Sequence, residues 1–334
     1  MQFFIMSVLV CAILILLLRK LAHRLDFVDH PGGRKQHEHP TPTVGGLAMF
    51  VAVLVALIAG DALHGKLWIL FGCAAALVML GVLDDKHGLS VALRMMIQVF
   101  LVSVVIIGAE GAITHLGPLL GGDFDIPLGI FAIPFSVIAF VGGINAINMI
   151  DGADGMAGKM ALITTLGVAV IFYLAEASPL LPLTWAMLGA LVGFLLMNSR
   201  LFVTRAWVFM GDAGSMWLGL VLGWFMARIT LGRVSAEPAL VLWLFGIPLI
   251  DTLVVMARRL KRRQSPFAAD RTHIHHVLQH AGFSVGNTVL ILSLVQLALV
   301  GTGVFFYLID APAYVVFWSF VLLMVAYSFR LRKY

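Results

Sequence analysis

The sequence predicts an all-α polytopic integral membrane protein with about eleven transmembrane helices. The 334 residues are 61% hydrophobic and only 12% charged, whereas a soluble domain carries about 25% charged residues. The mean hydropathy is +1.02. This composition excludes a soluble globular enzyme, a disordered chain and a secreted disulfide scaffold. Length alone favours about two domains, but the composition favours a single transmembrane domain over residues 1–334.

Apolar runs of about 17–25 residues, long enough to cross the hydrocarbon core as helices, recur along the whole chain. The first run has no basic segment before it, and Arg19, Lys20 and Arg24 follow it. This order favours a retained helix over a signal peptide. The predicted spans are 2–18, 44–60, 67–83, 91–109, 129–147, 159–176, 183–197, 213–230, 238–257, 287–309 and 314–329.

The distribution of basic residues predicts the orientation of these spans. With these spans, all of the 22 Lys and Arg residues except Lys66, Arg228 and Arg233 fall on the same predicted side of the membrane. Because cytoplasmic loops carry an excess of Lys and Arg, we expect the N-terminus outside and the C-terminus in the cytoplasm. The net charge of +5 then reflects topology, and no nucleic-acid partner is expected. The long cytoplasmic loops are predicted at about 19–43, 84–94, 198–211 and 258–285.

Acidic residues cluster at the predicted cytoplasmic ends of three spans. They lie in the segments 83–86 (LDDK), 145–155 (NAINMIDGADG) and 209–215 (FMGDAGS). One such acid would be an ordinary solvated turn residue. Three clusters against apolar helices favour a polar cavity or a metal, since a carboxylate buried at the bilayer centre costs about 2.5–3.5 kcal/mol. Oxygen ligands without cysteine suit Mg²⁺, or alternatively Mn²⁺, bound together with a diphosphate.

A fourth polar cluster, 270–276 (DRTHIHH), follows the ninth span. Zinc is disfavoured, because the spacing fits neither an HExxH helix nor a zinc finger and no thiol lies nearby. Arg271 and the three histidines are better suited to binding a pyrophosphate. The basic residues between 258 and 263 are interpreted mainly as anchors on the cytoplasmic side.

Two further features allow two interpretations each. The first cytoplasmic loop carries Lys35 and a structured turn through Thr43, and attraction to anionic lipid explains its basic residues equally well. Asp251 lies inside the ninth span, about two turns before Arg258. An intramembrane acid is a functional-site hypothesis, and a hydrogen bond that packs helices or stabilises a break near Pro248 explains it equally well.

Together these motifs resemble the polyprenyl-phosphate N-acetylhexosamine-1-phosphate transferases. The resemblance extends from residue 29 to residue 283 and is closest to the bacterial WecA-type branch. The Pro-Ile-His-His-His-Phe-Glu pattern of the peptidoglycan relative does not occur in the sequence. Gly88 departs from the family, because many members carry a third acid at this position. The motifs appear in this order: Asp84-Asp85, Asn-x-x-Asp-Gly-x-Asp, Met-Gly-Asp-x-Gly-Ser and His-Ile-His-His.

The resemblance implies that an N-acetylhexosamine-1-phosphate, first of all GlcNAc-1-phosphate, passes from a UDP-sugar to undecaprenyl phosphate with release of UMP. This reaction initiates a lipid-linked envelope glycan such as O antigen. The implied cofactor is Mg²⁺, and the implied partners are both substrates and the lipid bilayer. The implied location is the bacterial inner membrane, with the active site facing the cytoplasm. A homodimer is compatible with this assignment.

The resemblance also implies roles for individual residues. Asp212 and Asn148 match metal ligands, the acidic pair matches residues that activate the lipid phosphate, and Phe209 matches an aromatic that stacks on uracil. The residues matched as catalytic are Asp84, Asp85, Asp151, Asp154, His273, His275 and His276. Those matched as substrate-binding are Lys35, Thr43, Asn148, Phe209 and Arg271.

The sequence is also compatible with two alternative functions. The same chemistry could use UDP-QuiNAc, UDP-FucNAc or UDP-GalNAc, because the sugar pocket is assembled from loops. A membrane transporter is compatible with broken helices and an intramembrane acid, although the polar clusters favour one face over the bilayer midplane. Since the second pKa of a phosphate is about 6, positioning and electrostatics rank above base catalysis. One-step and two-step routes both stay open.

Overall fold

The computed structural model describes residues 1–30, 40–122, 124–231, 234, 236–265 and 272–331. Two short 3₁₀ helices span Gly129–Phe131 and Ser178–Leu180. An antiparallel ladder of two residues per strand joins β1 (Val28–Asp29) to β2 (Thr41–Pro42). The α-helices are α1 (Gln2–Arg24), α2 (Gly45–Ala59), α3 (Lys66–His87), α4 (Val91–Gly108), α5 (Ala132–Ile150), α6 (Met156–Leu174), α7 (Leu181–Asn198), α8 (Gly211–Ile229), α9 (Leu240–Lys261), α10 (Ile274–His280), α11 (Val285–Leu308) and α12 (Ala313–Leu331).

Every predicted span coincides with one of these helices, and α10 is an additional short helix. In the described part of the chain, nine helices are long and apolar enough to cross a membrane. Helix α2 is shorter, with 15 residues, and α8 carries Asp212 in its first turn and Arg228 in its last. The protein is therefore an all-α, multi-pass membrane protein, while the count of eleven spans and the orientation of the termini stay predictions.

Several helices extend beyond the predicted spans. Helix α1 continues to Arg24, α3 continues to His87 and α9 continues to Lys261, so the loops predicted to begin at 19, 84 and 258 begin later. An apolar run marks the residues that fit the hydrocarbon core, whereas a helix continues as long as its backbone groups find partners. The acidic pair consequently lies in the last turn of α3, within the helix.

Glycines bring α2 and α3 against the first turn of α8, a helix most of whose residues are buried. A Cβ atom on Gly81 of α3 would overlap the backbone of Ala213, and one on Gly46 of α2 would overlap the backbone of Gly214. These helices can approach so closely because neither glycine carries a side chain. The approach places the end of α3 beside Asp212.

We expect Gly81→Ala to lower the free energy of unfolding by about 1–3 kcal/mol, because the added methyl group overpacks the contact with α8. Gly72→Ala in the same helix is the matched control, since a Cβ there meets no described atom within 4 Å. Both changes bring the same gain in helix propensity. Thermal unfolding of the purified protein in detergent measures the difference, and equal midpoints for the two variants would contradict the close approach.

Helix α9 contains a break that another helix stabilises. Gly246 has φ 36° and ψ −113°, two residues before Pro248. Gln296 of α11 bonds to both sides of the break, because its Oε1 accepts from the backbone N–H of Ile247 at 2.8 Å and its Nε2 donates to the carbonyl of Leu244 at 3.1 Å. The break near Pro248 is therefore stabilised by Gln296.

Candidate active site

Three helix ends meet at one end of the bundle, which we call the site end. Asp84 and Asp85 lie in the last turn of α3, Asn148 lies in the last turn of α5, and Asp212 lies in the first turn of α8. The predicted acidic clusters therefore come together in space. Helix ends supply most of the site, whereas the prediction placed it in loops, because the helices extend past their apolar runs.

A cavity of about 1120 Å³ opens at the site end. Basic side chains also border it, from Arg19, Arg200 and Arg205. A polar cavity with charges of both signs suits a ligand that carries phosphate and sugar groups. The predicted site residues that line it are Thr43, Asp85, Asn148, Asp151, Asp154, Phe209, Asp212 and His276.

A second cavity, of about 780 Å³, lies beside the first. Thr43, Asp85 and Asp212 border both cavities, whereas Asp84 and Arg94 border the smaller one. The acidic residues at the ends of α3 and α8 therefore form the boundary between two spaces. Two molecules bound in these spaces would meet at this boundary.

The two predicted metal ligands, Asp212 and Asn148, are in direct contact. Asn148 Nδ2 donates to Asp212 Oδ1 at 2.6 Å and to Ser215 Oγ at 2.9 Å. Across the residues whose structure is described, no group of three or more His, Cys, Asp or Glu side chains is arranged to hold a metal. The pair thus offers one carboxylate and one amide, a small set of protein ligands of the kind that Mg²⁺ uses when phosphate and water complete its shell.

Asp84 is buried and accepts hydrogen bonds at both carboxylate oxygens. Arg94 Nη1 donates to Oδ2 at 2.5 Å, and the backbone N–H of Leu89 donates to Oδ1 at 2.7 Å. Gly88 ends α3 in the left-handed region, with φ 63°, and so allows the chain to turn back to Asp84. The same Nη1 atom lies 3.6 Å from Asp212 Oδ2. Arg94 therefore links the acids of α3 and α8.

Asp85 contacts the backbone at the beginning of α8. The N–H of Asp212 donates to both carboxylate oxygens of Asp85 at 3.1 Å. Gly211 has φ +70°, and a Cβ on it would lie 2.5 Å from Asp85 Oδ2. Both its conformation and the lack of space favour glycine. The Gly-Asp sequence at the beginning of α8 is therefore what this contact requires.

The loop between α5 and α6 carries the other two predicted catalytic acids. Arg200 Nε donates to Asp154 Oδ2 at 2.8 Å. Asp151 is open to the cavity but enclosed by protein, and the resulting desolvation raises the pKa of its carboxyl to about 7, with repulsion from Asp212 and then Asp154 adding to the shift. A cation bound at Asp212 would offset this repulsion.

The three predicted histidines occupy different environments in and just before α10. His276 lines the larger cavity. His275 is only 1% exposed, and burial followed by repulsion from His276 lowers its pKa to about 3, so that it is neutral at pH 7. Its ring packs on the backbone of Gly152, where a Cβ would overlap Nε2. His273 donates its Nδ1–H to Asp251 at 2.7 Å.

Backbone hydrogen bonds attach the first loop to the segment before α8. The N–H of Phe209 donates to the carbonyl of Pro42 at 2.7 Å, and the N–H of Gly45 donates to the carbonyl of Phe209 at 2.9 Å. Thr43 is thereby held between the two cavities, and Phe209 is held on the wall of the larger one. Their roles in binding the substrate stay predictions.

Sequence reasoning missed several partners of the site acids. Arg94 pairs with Asp84, and Arg200 pairs with Asp154. In the sequence, only the position of these arginines on the predicted cytoplasmic side pointed to the site. Tyr327, in the last helix, hydrogen-bonds to Asp251, and its surroundings in the sequence carry no signal of this. The predicted site residues Lys35 and Arg271 lie outside the described residues.

Known proteins share these features. Residues 67–230 match glycosyl transferase family 4, a segment that runs from α3 to the end of α8. The undecaprenyl-phosphate alpha-N-acetylglucosaminyl 1-phosphate transferase of Salmonella typhi is 32% identical over 325 residues, which cover 96% of this chain and 88% of that protein. The protein of the same name from Escherichia coli (strain K12) is 31% identical over 319 residues, 94% of this chain and 86% of its own length.

A relative from a different bacterial group shows the same similarity. The probable undecaprenyl-phosphate N-acetylglucosaminyl 1-phosphate transferase of Bacillus subtilis (strain 168) is 32% identical over 300 residues, which cover 87% of this chain and 80% of that protein. Identity at this level over nearly whole chains, together with the acidic clusters that meet at the site end, establishes the relationship. The chain belongs to the polyprenyl-phosphate N-acetylhexosamine-1-phosphate transferases of glycosyl transferase family 4, in the group of the undecaprenyl-phosphate N-acetylglucosaminyl 1-phosphate transferases.

Proposed function

We propose that this protein transfers GlcNAc-1-phosphate from UDP-GlcNAc to undecaprenyl phosphate and releases UMP, in a Mg²⁺-dependent reaction at the cytoplasmic face of a bacterial inner membrane. The observation that carries the proposal is the meeting of two cavities at Asp85 and Asp212. The names of the relatives describe the group transferred and the lipid acceptor. The reaction would begin a lipid-linked glycan of the cell envelope, of which O antigen is one example.

The residues at the meeting point of the end of α5 and the beginning of α8 fit a bound Mg²⁺. Asp212 and Asn148 would hold it, and Asp84, Asp85 and Asp151 surround the position with further carboxylates that favour a cation. When bound, Mg²⁺ withdraws charge from the diphosphate and stabilises the UMP leaving group. The remaining contributions come from side chains of the protein.

The larger cavity suits the nucleotide sugar. Phe209 on its wall can stack on the uracil ring, since an aromatic face packs on a base irrespective of hydrogen bonding. Arg19 and Arg205 border the same space and offer charge-assisted hydrogen bonds to phosphate oxygens. Arg200 holds Asp154 in place on the wall of the same cavity. His276 reaches the cavity from α10.

The smaller cavity suits the phosphate of the lipid. Arg94 lies there between Asp84 and Asp212, where its guanidinium group can bind phosphate oxygens. An oxygen of the lipid phosphate attacks the β-phosphorus of UDP-GlcNAc. The bond from that phosphorus to the bridging oxygen breaks, and UMP leaves with the electron pair.

The contacts of Asp84 support direct attack by the lipid phosphate. Both carboxylate oxygens of Asp84 already accept short hydrogen bonds, and a nucleophilic role would require it to give them up. Phosphate has a second pKa of about 6, so the lipid phosphate is mostly dianionic at pH 7 and needs little base catalysis. We therefore assign Asp84 the task of orienting Arg94 and the end of α3.

The test is turnover by the purified protein with undecaprenyl phosphate, Mg²⁺ and one UDP-sugar at a time, using UDP-GlcNAc, UDP-GalNAc, UDP-QuiNAc and UDP-FucNAc. We expect release of UMP with kcat/KM at least about tenfold higher for UDP-GlcNAc than for the others. Reactions without lipid acceptor control for hydrolysis, and EDTA should stop turnover until Mg²⁺ is restored. Absence of UMP release with every sugar would refute the proposal, and preference for another sugar would refute the choice of GlcNAc.

A further inference from the structure

A buried carboxylate outside the two cavities connects three separate parts of the protein. Asp251 of α9 is 2% exposed. Its Oδ2 accepts from His273 Nδ1 at 2.7 Å, and its Oδ1 accepts from the backbone N–H of Ile274 at 3.0 Å and from the hydroxyl of Tyr327 at 2.7 Å. A carboxylate withdrawn from water needs such partners, because its desolvation is costly. The donors come from the beginning of α10 and from α12.

We propose that Asp251, supported by Tyr327, is a positioning residue that holds the segment from His273 to His276 in place and thereby keeps His276 on the wall of the larger cavity. The last helix, α12, thereby becomes part of the catalytic apparatus. This inference rests on the proposed function, since it assigns a purpose to the histidines in that reaction. It also favours one of the two interpretations of Asp251. Asp251 hydrogen-bonds to His273, whereas Gln296 stabilises the break near Pro248.

A series of contacts between histidine rings connects Asp251 with the larger cavity. The ring of His273 stacks on that of His275, with centroids 6.0 Å apart and planes 11° apart. The rings of His275 and His276 have centroids 4.1 Å apart, and His276 lines the cavity. His275 is also held against the backbone of Gly152. Rotation of His273 would therefore disturb the packing of the next two rings.

The hydrogen bond also selects one tautomer of His273. An ionised carboxylate can only accept a hydrogen bond, so the proton shared with Asp251 must be carried by Nδ1 of His273. Asparagine at position 251 would keep acceptors for Ile274 and Tyr327 but would face Nδ1 with an NH₂ group. Asp251→Asn thus alters the histidine while it preserves the other contacts.

Tyr327 links the last helix to this arrangement. Helix α12 packs against α9, and the hydroxyl of Tyr327 reaches the oxygen that also accepts from Ile274. Tyr327→Phe removes one oxygen atom and leaves the ring in place. Tyr314, on the same helix near its other end and 42% exposed, supplies a control with the same chemical change.

Steady-state kinetics with UDP-GlcNAc and undecaprenyl phosphate test the inference. We expect kcat to fall about 100-fold in Asp251→Asn and about tenfold in Tyr327→Phe, the range for partners of functional side chains. KM for UDP-GlcNAc should change less than about threefold, because His276 is only one of many side chains that line the larger cavity. Tyr314→Phe should match the wild type. Wild-type kcat in Tyr327→Phe or in Asp251→Asn would overturn the inference.

A double-mutant cycle shows whether Asp251 acts through His273. In a His273→Ala background, Asp251→Asn should cause little further loss, because the group that it orients is already gone. A purely structural role would give losses that multiply, and that result would overturn the inference. If Asp251→Asn fails to accumulate in membranes, the cycle is made with Tyr327→Phe, with the same two outcomes.

Hydrogen exchange separates this inference from the proposed function, because it needs no substrate. In the purified full-length protein, Asp251→Ala should speed exchange of the amides of Ile274–His280 at least about tenfold while α11 is unchanged, since local opening of a segment raises its exchange alone. Unchanged exchange in α10 would overturn the positioning role even if the enzyme is active. Faster exchange in α10, with no turnover of UDP-GlcNAc by the wild type, would refute the proposed function and leave the positioning contact established.

Discussion

Asp212→Asn is expected to lower kcat at least about 10³-fold, because a charge that stabilises the transferring diphosphate is lost from an enclosed site. Asparagine has nearly the same shape, Asn148 Nδ2 can still donate to its side-chain oxygen, and Ser215 Oγ can still donate to its backbone carbonyl. The protein should therefore accumulate and unfold as the wild type does. Turnover measured over a range of Mg²⁺ concentrations should show a higher requirement for the metal in any residual activity.

Asp61→Asn is the matched control for Asp212→Asn. Asp61 follows α2 outside the described site, and its side chain is 96% exposed. Removal of its charge should leave kcat and the Mg²⁺ requirement unchanged. Near-normal turnover of Asp212→Asn at ordinary Mg²⁺ concentration would refute the assignment of Asp212 as a metal ligand.

Arg94→Met is expected to reduce both stability and activity. Methionine keeps much of the side-chain length, but Asp84, whose side chain is 4% exposed, loses its cationic partner. Removing one member of a buried ion pair costs about 3 kcal/mol or more, and kcat should fall about 100-fold if Arg94 also binds the lipid phosphate. Thermal unfolding in detergent and steady-state turnover measure the two effects.

Two further variants separate these effects. Arg94→Lys keeps the charge but loses the planar fork of the guanidinium group, so stability should largely return while kcat stays below that of the wild type. Adding Asp84→Asn to Arg94→Met removes the unpaired carboxylate, and we expect stability to recover without activity. Full activity of Arg94→Met would refute a role for Arg94 in binding the lipid phosphate.

The transmembrane architecture could be predicted because it depends on local composition. Each apolar run long enough to cross the hydrocarbon core became a helix, including α2, which has only 15 residues. The ends of the helices could not be predicted from hydropathy. Helix α3 passes through Asp84 and Asp85 before Gly88 ends it, because backbone hydrogen bonds determine where a helix stops.

The acidic part of the site could be predicted for a related reason. Carboxylates that directly adjoin apolar helices require a polar environment, because burial in hydrocarbon is costly. Since all three acidic clusters fall on the same predicted side of the membrane, one common cavity could provide that environment. The glycines among them had a structural cause that the sequence did not reveal. Gly81 admits the backbone of α8, and Gly211 leaves space for Asp85.

The sequence by itself determined the fold class, the apolar segments, the family and the residues that gather at the site end. These follow from composition, the thickness of a bilayer and short motifs. Only the tertiary structure decided which partners the buried acids take: Asp84 binds Arg94, and Asp251 binds His273 and Tyr327. Such pairs join residues up to 76 positions apart, and helix packing, which no local pattern encodes, selects one partner among many of equal charge.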